Sequence, residues 1–162
     1  MIKKTLWILI SCYLLFLIEI GVFHVFSFWV KPNFLILFVI FINLFWGSRY
    51  GLWAAVAAGL LKDSLLVGVF GVNIFSFIIS SYIVLLLKKY IFQIDALYLK
   101  IALAFFLSAL NVSILYIVAA FFASGGFRDI AWFLAIPEII TTTAIGPYAF
   151  LFFKKCALKV SK

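Results

Sequence analysis

Residues 51–63 read Gly-Leu-Trp-Ala-Ala-Val-Ala-Ala-Gly-Leu-Leu-Lys-Asp, a smooth apolar run that ends in two adjacent opposite charges. On either side of it the chain resolves into further apolar stretches, six in all, roughly 5–29, 32–46, 50–67, 71–87, 98–122 and 131–153, joined by short charged connections. Of 162 residues, 69% are hydrophobic and 11% charged, and the mean hydropathy is +1.33. A soluble domain of this size has too little interior to hide so much apolar surface, whereas lipid accepts it on every side. The runs lack the alternation and polar lumen face of a membrane barrel. Helices satisfy their own backbone, as hydrocarbon demands. The expectation is an all-α integral membrane protein, one polytopic domain over 1–162 built as a bundle of six transmembrane helices. The second stretch, at about 22 Å, is short for a core of roughly 30 Å, so neighbours or local thinning must accommodate it.

Charge sets the orientation. With a cytoplasmic start, the inner side collects Lys3, Lys4, Arg49, Lys88, Lys89, Lys100, Lys154, Lys155, Lys159 and Lys162, while the outer side receives Lys31 and Arg128. That asymmetry predicts both termini in the cytoplasm. It also accounts for the net charge of +8 through anionic headgroups, with no nucleic-acid partner. The first apolar run is too long for a signal-peptide core and no small-x-small cleavage site follows, so it reads as a retained helix. Cys12 and Cys156 fall at different depths on the reducing side, and no disulfide is expected. The connections near Tyr90–Leu97 and Ala123–Ile130, with Tyr90, Trp132 and Phe133 nearby, suit the membrane interface.

Each polar residue inside the apolar runs carries information, because a charge at the bilayer centre costs about 2.5–3.5 kcal/mol on insertion scales. Glu19 and His24 interrupt the first run, Lys62 and Asp63 the third, and Pro137-Glu138 the sixth; Asn43, Asn73 and Asn111 add uncharged polarity. Helical rise puts Glu19 about 21 Å above the start of its helix and Asp63 about 20 Å above the start of the next inward-starting one. Glu19, His24, Asp63 and Glu138 therefore share the outer half. Two readings stand open: interhelical hydrogen bonds, with Lys62 snorkelling outward and Asp63 paired nearby, or an outward-facing polar cavity or partner dock. His24 has no neighbouring Cys, and Glu19 lies five residues away, so no metal-ligand face forms and no cofactor is indicated.

Gly51, Ala55, Gly59 and Asp63 fall four apart and trace one slanting ridge on a helix, with Ala54, Ala57 and Ala58 widening the smooth surface. Small residues so placed let another backbone come close, either from within the bundle or from a partner. On its N-terminal side stands Lys31-Pro32-Asn33, with Pro32 suited to a first helical turn. Gly68 and Gly71 follow on the other.

This succession resembles the rod shape-determining protein MreD family of bacterial inner-membrane proteins. That family shows a basic-Pro-Asn/Asp start to an apolar span, a Gly-rich third span closing in Gly-apolar-apolar-x-Asp, and a Gly-x-x-Gly-like turn. Here those positions are Lys31, Pro32, Asn33, the run Gly59 to Asp63, Gly68 and Gly71. The resemblance implies a scaffold of the cell-wall elongation complex, paired with the bitopic protein MreC and close to RodA, its class B penicillin-binding transpeptidase and the filament MreB. It also implies a fold like the six-helix substrate-binding subunit of energy-coupling-factor vitamin transporters, and such a transporter subunit is the rival function. Enzymatic chemistry is not expected: no G-x-S-x-G, H-E-x-x-H or paired-aspartate motif is present, and His24–Ser27 is an isolated pair.

Overall fold

The structure is a computed structural model that describes residues 2–26, 32–64, 70–94, 97–122 and 127–160. Six helices follow in order: α1 (Ile2–Phe26), α2 (Phe34–Trp46), α3 (Ser48–Asp63), α4 (Val72–Ile94), α5 (Leu97–Phe122) and α6 (Phe127–Val160). Three apolar segments among the described residues are long enough to cross a membrane, Lys3–Val22, Ile101–Val118 and Ile136–Ala157; Phe34–Trp46 and Val72–Lys88 are shorter apolar helices. The helices match the six apolar stretches of the sequence, with two extensions. α4 continues through Lys88–Ile94, and α6 begins at Phe127 and runs on to Val160. Both additions lack the Gly and Pro that would stop a helix. Lys31, Gly68 and Lys162 lie outside the described residues, as do the side chains of Tyr90, Trp132 and Phe133.

The two prolines of α6 do not end it. Each proline removes one ladder bond and crowds the preceding turn without breaking the helix, while nearby hydroxyls bond back to it and leave no free donor to lipid: Thr141 Oγ1 donates to the Pro137 carbonyl at 2.6 Å and Thr143 Oγ1 to that of Ile139 at 2.8 Å.

α2 is the axis of the bundle. It touches all five other helices, which surround it in the ring order α1, α3, α4, α5, α6, and every residue from Leu35 to Ile42 is fully buried. Its sequence, Phe-Leu-Ile-Leu-Phe-Val-Ile-Phe-Ile-Asn-Leu-Phe-Trp, is apolar on all sides save Asn43, the composition of a helix with no lipid-facing or water-facing side to provide for. At about 20 Å, the helix is shorter than a bilayer core, and its neighbours supply the shielding that its length does not. Closure of the ring is uneven, with α1 and α6 touching least of all neighbouring pairs.

Aromatic rings pack around α2 in the half of the bundle that holds the start of α1 and the end of α2. Trp7 of α1 sits 5.8 Å from Phe38 and 5.1 Å from Trp46, while Phe153 of α6 sits 5.4 Å from Phe38 and 5.6 Å from Phe41. Such pairs add about 0.5–1.5 kcal/mol each beyond their buried area. Outside the ring, side chains such as Leu6, Tyr13, Phe75, Phe106 and Phe152 are exposed, an apolar outer surface suited to lipid. α2 passes to α3 through Gly47 alone, whose φ of +88° favours glycine.

Candidate functional site

The charged side chains Glu19, Lys62, Asp63 and Glu138 divide into two groups built on consecutive residues of α3. Asp63, the last residue of α3, is buried and reaches the first turn of α4. Its Oδ1 accepts from the Asn73 backbone N–H at 3.0 Å and from Asn73 Nδ2 at 2.8 Å; its Oδ2 accepts from the N–H groups of Gly71 at 3.1 Å and Ile74 at 3.2 Å. The first N–H groups of a helix have no partner within it and carry the positive end of its dipole. One carboxylate thus completes the start of a helix that begins nine residues later in the chain, and its charge is matched by donors rather than by a cation. Gly71, at φ +100°, lets the chain turn into that position.

Lys62 points the other way around α3. Its Nζ lies 3.2 Å from Glu19 Oε1 of α1 and 3.6 Å from Glu138 Oε1 of α6, with all three side chains nearly buried. The snorkelling expected for Lys62 is therefore incorrect. Two carboxylates inside the bundle offer the ammonium more than the interface would, since each charge left alone in hydrocarbon is costly. The ring of Phe77 lies 5.9 Å from the same nitrogen. Glu19 Oε2 is buried without a hydrogen-bond partner among the described residues, so this carboxylate is held by charge through one oxygen.

The network continues through Asn33, just before α2. Asn33 Nδ2 donates to Glu138 Oε1 at 2.8 Å and its backbone N–H to Thr142 Oγ1 at 2.8 Å, while its Oδ1 caps α2 by accepting from Ile36 N at 3.1 Å. Because Asn33 is the cap, Pro32 stands outside the helix, not in its first turn as the sequence suggested. Glu19, Asn33, Lys62, Glu138 and Thr142 thus tie α1, the start of α2, α3 and α6, spanning the least closed part of the ring. His24 is exposed on α1.

The small-residue ridge is used inside the bundle. A Cβ on Gly59 would lie 2.5 Å from the Cα of Ile74 and 2.8 Å from its N, so α3 and α4 approach backbone to backbone there. A Cβ on Gly51 would run into the carboxamide of Asn43 in α2. Ala55 between them is fully buried, as are Ala54 and Ala58. Asn43 itself donates to Val39 O at 2.9 Å and accepts from Ser81 Oγ at 3.0 Å, and Asn111 Nδ2 donates to Ser76 Oγ at 2.7 Å. Serines 76 and 81 and Thr142 are partners that the sequence reading missed. Their only signal was a hydroxyl within an apolar run, which does not tell a cross-helix bond from a local one.

What fold and site define together is a helical membrane protein whose described intramembrane charges join helices to one another. The chain belongs to the MreD family: the profile of the rod shape-determining protein MreD matches residues 1–156. That family acts in determining rod shape. No curated protein and no solved structure matches the chain.

Proposed function

We propose that this protein is a non-catalytic scaffold of the bacterial cell-wall elongation complex. It spans the cytoplasmic membrane six times with both termini inside, binds MreC, and organises RodA with its class B penicillin-binding transpeptidase, with MreB on the cytoplasmic side. The observation that carries this reading is the family match over nearly the whole chain. The use of the polar groups supports it: Asp63 completes α4, and Lys62 joins Glu19 to Glu138. Groups so engaged hold a shape, and a fixed membrane platform is what a scaffold supplies.

The test is a pull-down of the tagged full chain from native membranes, with mass-spectrometric identification of the co-purifying chains. Recovery of MreC with the wall synthases is the expected result. If MreC is absent and the detergent-purified protein is instead thermally stabilised by a vitamin, the chain is a transporter's substrate-binding subunit and the scaffold reading fails.

A further inference from the structure

The inner end of the bundle holds a second cluster, built on the turn between α2 and α3. The ammonium of Lys4 (α1) lies 5.4 Å from the ring centroid of Trp46 and 5.7 Å from that of Tyr50, and these two rings are 6.0 Å apart. Trp7, one turn further along α1, packs on Trp46 from the membrane side. Arg49 lies exposed in the turn between Trp46 and Tyr50, beside exposed Ser48, and Lys3 is exposed next to Lys4. From α4, Lys88 Nζ donates to the Asn43 carbonyl at 3.3 Å, one turn before the end of α2. Basic residues of α1, α3 and α4 thus flank one tight turn.

Basic side chains flanking one turn raise the local positive potential, and an anion is drawn to it. The depth of the cluster identifies the anion. Trp and Tyr rings mark the headgroup level, and the exposed Leu6 and Leu9 of α1 and Leu52 and Trp53 of α3 continue from it along the membrane-facing side. We infer that the corner formed by α1 and the α2–α3 turn is a binding site for one anionic phospholipid. Its phosphate lies against Lys4 and Arg49, and its acyl chains lie along the apolar side chains of α1 and α3. Lys4 is already held over two rings, so little further ordering is needed when the headgroup arrives. The site does not depend on which proteins the bundle assembles with.

The experiment measures the thermal stability of the full chain in phosphatidylcholine nanodiscs with increasing phosphatidylglycerol. Phosphatidylglycerol should raise Tm. Each basic side chain near an anionic membrane surface contributes roughly fivefold in affinity, so Arg49→Gln should shift the half-effective lipid fraction upward by about fivefold, and Lys4→Gln/Arg49→Gln by roughly 25-fold. Arg49 is exposed, so its single variant gives the answer even if the double variant folds poorly. A Lys154→Gln/Lys155→Gln variant, altered at an exposed basic pair on α6, loses only general surface attraction and should shift that fraction less than Arg49→Gln does. The inference is overturned if Arg49→Gln leaves the response unchanged, if the Lys154/Lys155 variant loses as much, or if inorganic phosphate alone reproduces the stabilisation.

Discussion

Replacing Asp63 by alanine is the sharpest single perturbation of this fold. The carboxylate accepts four hydrogen bonds at 2.8–3.2 Å, three of them from backbone N–H groups at the start of α4. Loss of an ordinary helix cap costs about 0.5–2 kcal/mol. A buried N–H left without an acceptor costs about 1–3 kcal/mol, and Asp63→Ala strands three at once, that of Asn73 buried and those of Gly71 and Ile74 partly so. The bonds share one carboxylate and do not sum, so the expected loss is about 3–5 kcal/mol. Measured against a total stability of about 5–15 kcal/mol, that is a large fraction. Asp63→Asn keeps one acceptor oxygen but no charge, and should lose about 2 kcal/mol. The assay is reversible unfolding in mixed micelles with increasing SDS, followed by far-ultraviolet ellipticity and tryptophan emission. A cycle with Asn73→Ala should give a coupling of about 1 kcal/mol or more. If Asp63→Ala unfolds within about 0.5 kcal/mol of the unmodified protein, the carboxylate does not hold α3 to α4 and this reasoning is wrong.

Three further outcomes are expected. Lys62→Met leaves Glu19 and Glu138 buried without their cation and should destabilise by about 3–5 kcal/mol in the same assay, with Glu19→Leu added to it restoring part of the loss; an additive double variant would mean that the two side chains are not coupled. Gly59→Ala should cost about 1–3 kcal/mol because its Cβ meets Ile74 backbone that cannot swing away, whereas Gly21→Ala, at a position open on all sides, should be neutral or stabilising by up to about 1 kcal/mol. A membrane-impermeant maleimide should label Cys156, half-buried near the end of α6, in inverted vesicles only, while the fully buried Cys12 stays unlabelled; labelling of Cys156 on intact cells would reverse the proposed orientation.

The helices were legible because hydrocarbon leaves a chain so few options. Runs of apolar residues between charges located all six, and the ends of α2 and α5 fall within two residues of the expected positions. The polar residues were equally visible, since a Glu or Lys inside such a run stands out. Their pairing was not. Glu138 is 105 residues from Asn33, and depth along a helix gives no rotation about it, so residues at similar depth could not be assigned partners. Asp63 and Lys62, adjacent in sequence, diverge by one helical step into separate networks. Sequence alone left Asp63 open to a cation, whereas it met backbone donors. The central place of α2 had a signal that went unread: with one polar residue in thirteen, it offers no face to water, and its short length gives it no independent span.

That buried second helix bears on how the protein is made. α2 leaves the ribosome before α4, α5 and α6, which later enclose it, so the nascent chain holds its future axis in place while those walls are still being synthesised. During that interval Asn33 lacks Glu138 and Thr142, and Asn43 lacks Ser81. Biogenesis therefore ends with a lateral gathering of already inserted segments around an early one, and the final bonds form only after the last segment has emerged.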